Sequence, residues 1–384
     1  MKNMISIIAV STDAEVFKCN RIFDKNWTKK YPGTAWYPIF SNILAKHDLQ
    51  VVTADIALSH VLSGFWDPKN IGIIQHLSCF ETEKLISMGS LPLVITAMES
   101  PLYANLFFND GKKIAKIFPH RIMYSGLIKH FNLSTGNNHN LRFPSFHKND
   151  FYEIKPWNER GFMVMVTRNI YSQSFSPFFL LNPKDIIKYL FRVAKKILSI
   201  KSLHRNAVQK FPNEQLHDKR ISAIIFFGKH NLLQLFGFGW NDLSNLPHYY
   251  STKITKLLGN LKPKPCEDKI NSISNYKFSI CFENSAFEGG VFEKIIDCFV
   301  AGVIPLYLGA SDIEDIIPSN SYIDVRKFKN WDELLNKLKN ITESEACSII
   351  ENGKLFLKSD LGQMHSYEEF AKFISNLVIS ECLV

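Results

Sequence analysis

Short apolar runs alternate along this chain with longer stretches whose apolar residues recur at helical spacing. In the first part of the chain, Ser6–Val10, Leu49–Thr53, Ile71–Gln75, Leu91–Ile95 and Arg121–Tyr124 read as buried strands. Helical spacing falls between several of them, around Tyr37–Lys46 and Glu81–Ile86. Alternating strands and helices predict a largely parallel sheet covered on both faces. The polar, proline-punctuated run from Arg142-Phe-Pro144 to Pro156-Trp-Asn-Glu-Arg160 reads as a linker between domains. Beyond it the pattern resumes with a strand at Phe162–Thr167, a helix over Asp218–Phe227 and a short strand at Leu233–Phe236. A final helix is expected over Phe370–Leu377, in a position to cross back to the first domain.

The densest pattern lies between Tyr276 and Gly309. Tyr276, Phe278, Ile280 and Phe282 alternate with Lys277, Ser279 and Cys281, the two-residue period of a strand. Glu283-Asn284-Ser285 ends it, and Gly289-Gly290 allows a sharp reversal. Phe292–Ala301 has helical spacing at Ile295, Ile296, Phe299 and Val300, with Gly302 placed as its C-cap, and Val303–Leu308 returns as a strand. In such a unit the helix N-terminus points toward the carboxyl edge of the sheet, where anions bind. Lys294, in the first turn, opposes the helix dipole by about 0.3–1 kcal/mol. That placement makes sense if an anion such as a pyrophosphate sits in front; a plain surface lysine is the bland alternative.

These residues resemble a known family. Tyr-Lys-Phe…Phe-Glu-Asn-Ser…Glu-Lys-Ile-Ile-Asp…Ile-Pro-Leu-Tyr-Leu-Gly is similar to the donor-binding signature of the family 10 glycosyltransferases, the α1,3/4-fucosyltransferases. Met98-Glu-Ser-Pro101, directly after Leu91–Ile95, is similar to that family's Glu-Ser-Pro turn. The resemblance implies an α/β fold of two Rossmann-like domains facing a central cleft (GT-B type), of the soluble bacterial kind. The expected division is 1–155 for the acceptor domain and 156–365 for the nucleotide-sugar domain. An insertion at about 170–217 interrupts the second, and 366–384 forms the C-terminal helix. One departure stands out. The family's Tyr-Val-Thr-Glu-Lys is Gly290-Val-Phe-Glu-Lys294 here, which puts the donor sugar in doubt.

Composition narrows the setting. A chain of 384 residues, 46% of them hydrophobic, can bury a large core in two domains. Seven scattered cysteines without metal-ligand spacing argue for reduced thiols in a cytoplasm. The Met1–Val10 stretch reads as a first strand rather than a signal peptide, and no window approaches a membrane-spanning run. The net charge of +9 is local: seven cations between Lys184 and Arg205 face only Asp185. Ile186, Leu190, Val193, Ile197 and Ile200 recur there at helical spacing, a basic amphipathic helix that either packs on its own domain or meets an anionic membrane surface. Aromatic-basic interleaving of the kind that binds single-stranded nucleic acid is missing, so no nucleic-acid partner is expected.

Glycosyl transfer needs a base, a stabilised diphosphate leaving group and exclusion of water. The resemblance assigns the base to Glu99, held in a rigid turn after a strand. Lys294 and Arg220 are assigned to the pyrophosphate, with Arg168 competing and Asn169 beside it in the same turn. Arginine suits the task because its planar fork bridges two phosphate oxygens. Glu293 and Asn284 contact the nucleoside in this reading; Glu283 joins the donor site or braces its loop from behind. The sequence holds no Asp-x-Asp metal motif, so an inverting, metal-independent enzyme is expected, without a cofactor beyond GDP-fucose as co-substrate. The acceptor would be an oligosaccharide or glycolipid hydroxyl, and the location cytoplasmic, peripheral to the membrane. Rival readings are another nucleotide-sugar donor on the same fold, a paired-carboxylate glycosidase using Glu99 with Glu283 or Glu293, and a non-catalytic membrane-associated binding protein.

Overall fold

A computed structural model describes residues 5–12, 14–150, 154–171, 186–187 and 210–382. Apart from Ile186 and Ile187, the basic stretch Lys184–Arg205 lies outside the described residues. The chain divides into two compact units. Unit 1 comprises Met1–Asp150, Glu288–Glu293 and Leu357–Val384; unit 2 comprises Phe151–Phe287 and Lys294–Phe356.

Unit 1 is built on six parallel strands: β1 (Ile7–Val10), β2 (Gln50–Thr53), β3 (Ile71–His76), β4 (Leu91–Thr96), β5 (His120–Met123) and β6 (Asn137–Asn140). Their order across the sheet is β2-β1-β3-β4-β5-β6. The first five follow the apolar runs to within two residues. The sixth, Asn-Asn-His-Asn, carries no apolar signal; it pairs with β5 along one edge, where burial is not required. Helices Trp36–Ala45, Ala54–Leu62, Phe80–Ser87 and Ser125–Phe131 connect the strands. The last helix, Tyr367–Cys382, is longer than its apolar core suggests. It packs Phe370 edge-on against Trp36, ring centroids 5.1 Å apart, and both side chains are buried. Glu381 bonds His120 at 2.9 Å and Glu368 bonds His147 at 2.8 Å, tying both ends of that helix to unit 1.

Unit 2 has a five-stranded parallel sheet of β7 (Gly161–Val166), β9 (Leu233–Phe236), β10 (Tyr276–Phe282), β12 (Ile304–Leu308) and β13 (Ile323–Asp324), in the order β13-β12-β10-β7-β9. A small antiparallel pair, β8 (Glu214–Gln215) with β11 (Ser285–Ala286), sits beside it. The alternation along β10 does not divide a buried face from an exposed one. Ser279 and Cys281 are buried along with Phe278, Ile280 and Phe282, because a strand in mid-sheet has both faces covered. Small Ser and Cys side chains suit the face on which a helix packs closely: Cys281 Sγ lies 3.0 Å from Cys298 Sγ on the Glu293–Val300 helix. The C-cap forms as read. Gly302 has φ +63°, its N–H donates to Phe299 O at 3.2 Å, and Val303 N–H donates to Cys298 O at 2.9 Å, a Schellman pair.

Candidate active site

In unit 1 the chain leaves β4 through a pinned turn. Tyr124 Oη donates to Met98 O at 2.9 Å, and the N–H groups of Tyr103 and Ala104 both donate to Ser100 O, at 2.9 and 3.0 Å. Between these anchors Ser100 and Pro101 are buried while Glu99 is exposed. The Ser100 N–H donates to Glu99 Oε2 at 3.3 Å, orienting the carboxylate from its own backbone. Glu99 lines two spaces. One is a cavity of about 210 Å³ shared with Thr12, His76, Trp36, Tyr37 and Phe143. The other is a groove of about 520 Å³ shared with Thr12, Ser78, Phe80, Glu81 and Tyr103. Thr12 and His76 sit at the carboxyl ends of β1 and β3, where an α/β sheet presents its ligand groups. Sequence reasoning passed over both, although their places at strand ends were the available signal.

The Glu293–Val300 helix starts where expected, with Glu293, the last residue of a unit 1 segment, and Lys294, the first of a unit 2 segment, in its first turn. Lys294 Nζ donates to Glu283 Oε2 at 2.9 Å, and Glu283 is fully buried. Glu283 therefore takes the bracing role. Its own N–H extends the β10–β12 ladder by donating to Leu308 O at 2.8 Å, and its side chain passes close to Gly309, where a Cβ would stand 2.6 Å from Glu283 Cγ. The Tyr307 phenol is buried next to it and titrates well above the usual range, through burial first and the Glu283 charge second. The bond to Glu283 fixes where the Lys294 ammonium sits.

Arg220 is buried within the His217–Lys229 helix, and its Nε and Nη2 donate to Phe282 O at 3.1 and 2.5 Å. Leu216 N–H donates to Asn284 O at 3.0 Å, and Gln215 pairs with Ser285. The helix carrying Arg220 and the loop carrying Glu283 and Asn284 are thus tied through backbone atoms, which brings these candidates into one neighbourhood. His217, beside Arg220, stays neutral far into acid: burial first, and the guanidinium second, push its pKa down to about 3.

Arg168 and Asn169 join the same neighbourhood by another route. With Tyr171, His217, Arg220 and Trp240 they line a cavity of only about 10 Å³, room for about one water. Arg168 is exposed, whereas Asn169 is buried and donates to Gly239 O and Asp242 O at 3.1 and 2.9 Å. Asn169 acts here as a tie between two loops. A larger space of about 720 Å³ opens at the carboxyl ends of β12 and β13, lined by Lys219, Gly309, Arg326, Lys329 and Trp331. None of those residues was given a role in binding from sequence. The Phe292 that departs from the family pattern is buried in unit 1 against Tyr124 and Phe143, with ring centroids 5.3 and 5.7 Å away.

Comparison with known proteins follows this division. Residues 243–348 match the model of the glycosyltransferase family 10 (fucosyltransferase) C-terminal domain, a span that contains Glu283, Asn284, Glu293 and Lys294. The chain is 38% identical over 73 residues to an α-(1,3)-fucosyltransferase of Helicobacter pylori, covering 19% of this chain and 15% of that protein. It is 39% identical over 70 residues to an α-(1,4)-fucosyltransferase of Arabidopsis thaliana, covering 18% of each. The matched stretch thus spans less than a fifth of these relatives' length. Over nearly the whole chain the fold is that of Anabaena HepE, solved with UDP and glucose: 98% of this chain and 100% of that one are covered, at 11% identity and TM-score 0.53. Two parallel-sheet α/β units of this kind are the GT-B architecture. Residues 243–348, which hold β10, the loop after it and the Glu293–Val300 helix, are thus similar to the C-terminal domain of glycosyltransferase family 10.

Proposed function

We propose that this protein is a glycosyltransferase that moves fucose from GDP-fucose to a hydroxyl of a glycan acceptor, with inversion and without an obligatory metal. The observation that carries the reading is the family match over 243–348 together with the Lys294 ammonium held by buried Glu283 at a helix N-terminus. In this reading Glu99 removes the acceptor proton as the hydroxyl attacks the anomeric carbon from the face opposite GDP. Lys294 and Arg220, with the helix N-terminus, offset charge on the departing diphosphate. Glu293 and Asn284 serve the nucleoside, with Arg168 as a further cation for the phosphates. Glu99→Gln tests the assignment. Transfer should fall by about 10²–10⁴-fold, the usual worth of a general base, while GDP affinity stays the same. Loss of GDP binding in that variant contradicts it.

A second reading keeps the fold and changes the donor sugar. It draws on Phe292, a buried aromatic where the resemblance expects a threonine, and on the missing tyrosine of that motif. Competition among GDP-linked sugars in the transfer assay separates the two. We further assign the Lys184–Arg205 stretch to an anionic membrane surface on the cytoplasmic side, on the strength of its charge and apolar spacing. Pelleting with phosphatidylserine vesicles, with and without residues 170–215, tests this; equal pelleting removes the assignment.

A further inference from the structure

Phe80 opens the Phe80–Ser87 helix and is 74% exposed; Tyr103, in the turn after Glu99-Ser100-Pro101, is 39% exposed. A single exposed aromatic is ordinary. These two line the same groove, and Glu99 lines it with them. Size then separates the two spaces beside Glu99. The cavity of about 210 Å³ falls below the roughly 300–1,000 Å³ of small-molecule sites, whereas the groove of about 520 Å³ falls within it.

The lining also sets a charge. Lys18 is the cation of the groove, and its Nζ is held by Glu81 at 3.1 Å and by Glu15 at 2.6 Å. Glu81 and Glu99 line the groove against it, so carboxylates are in excess. A ligand bearing its own carboxylate meets repulsion there. An uncharged sugar meets none: its hydroxyls find polar partners of the type Thr12, Ser78 and Glu81 supply, and its C–H face suits the electron-rich face of an aromatic ring.

We propose that this groove is the acceptor subsite, that it takes an uncharged pyranose against the rings of Phe80 and Tyr103, and that its one surplus carboxylate disfavours acidic sugars. The proposal rests on the glycosyl-transfer reading of Glu99. Phe80 and Tyr103 are then determinants of acceptor specificity, and neither handles the donor.

The test uses the full chain at saturating GDP-fucose, with N-acetyllactosamine and its sialylated form as probes. Phe80→Ala and Tyr103→Ala should each raise the KM for N-acetyllactosamine about five- to tenfold, as expected for one lost ring contact, with the KM for GDP-fucose unchanged. Phe80→Trp should keep the wild-type KM, and the sialylated probe should be the poorer substrate throughout. Unchanged acceptor KM in both alanine variants, or preference for the sialylated probe, overturns the proposal. Saturation-transfer NMR of the same glycans with GDP-loaded protein separates the two claims. If wild type turns over neither probe, the transfer reading fails. The groove still stands if saturation reaches the neutral glycan and is lost in Phe80→Ala, and it falls if no saturation reaches that glycan.

Discussion

The Lys294 ammonium lies 2.9 Å from the carboxylate of Glu283, and that carboxylate is fully buried. Each group is needed by the other, since a lone charge at that depth would be costly. Glu283→Gln should therefore destabilise unit 2 by about 1–3 kcal/mol, read as a lower urea midpoint. Glu283→Gln with Lys294→Met should recover most of that loss, because no unpaired charge remains, yet should not recover GDP binding. Recovery of both would reduce Lys294 to a structural residue.

Arg220 offers a contrast between shape and charge. Its Nε and Nη2 converge on one carbonyl, that of Phe282, a geometry lysine cannot copy. Arg220→Lys should cost about 1–2 kcal/mol of stability despite the conserved charge, and should weaken GDP binding at least as much as it weakens folding. Equal midpoints for the two proteins in guanidinium would show that the forked contact contributes nothing.

Gly237 is held where only glycine fits. Its φ is +124°, and a Cβ there would stand 2.1 Å from Thr167 O, a backbone atom that cannot swing aside. Gly237→Ala should lower stability by about 2–3 kcal/mol. It should also disturb the turn at Arg168 and Asn169, because the Thr167 N–H donates to Phe236 O at 2.9 Å next to the glycine. A melting temperature equal to wild type would disprove the constraint.

Two buried histidines set the response to acid. Burial pushes His217 down to about 3, with Arg220 adding to it, and pushes His365 down to about 4. An unfolded histidine protonates near 6.5, so between about 6.5 and 4 the unfolded chain binds protons the folded chain refuses. Stability is then full above about pH 6.5 and declines as pH falls, by up to about 1.4 kcal/mol per pH unit for each histidine. His217→Gln should flatten the decline measured by urea unfolding at pH 7, 6 and 5. A decline of unchanged slope would remove His217 from the account.

The sequence was most readable where local chemistry determines structure. Gly302 in a left-handed cap, the strand over Tyr276–Phe282 and the Lys294 helix opening are all decided within a few residues of chain. What stayed hidden depends on partners far apart in sequence. Glu283 meets Lys294 only because β10 and the following helix run side by side, and the target of Arg220 is a backbone carbonyl 62 positions away, which no side-chain pattern encodes. β6 was missed because an edge strand of Asn-Asn-His-Asn has no apolar rhythm to show. Phe80 and Tyr103 were missed because an exposed aromatic acquires meaning only from what shares its groove.

The central claim is that unit 2 holds a guanosine diphosphate through Lys294. Titration calorimetry of the full chain with GDP, and separately with UDP, addresses it most directly. The account predicts binding of GDP in preference to UDP, weakened by about 1–3 kcal/mol in Lys294→Ala and unchanged in Glu99→Gln. Equal heats for GDP in wild type and Lys294→Ala, or tighter binding of UDP, would contradict it.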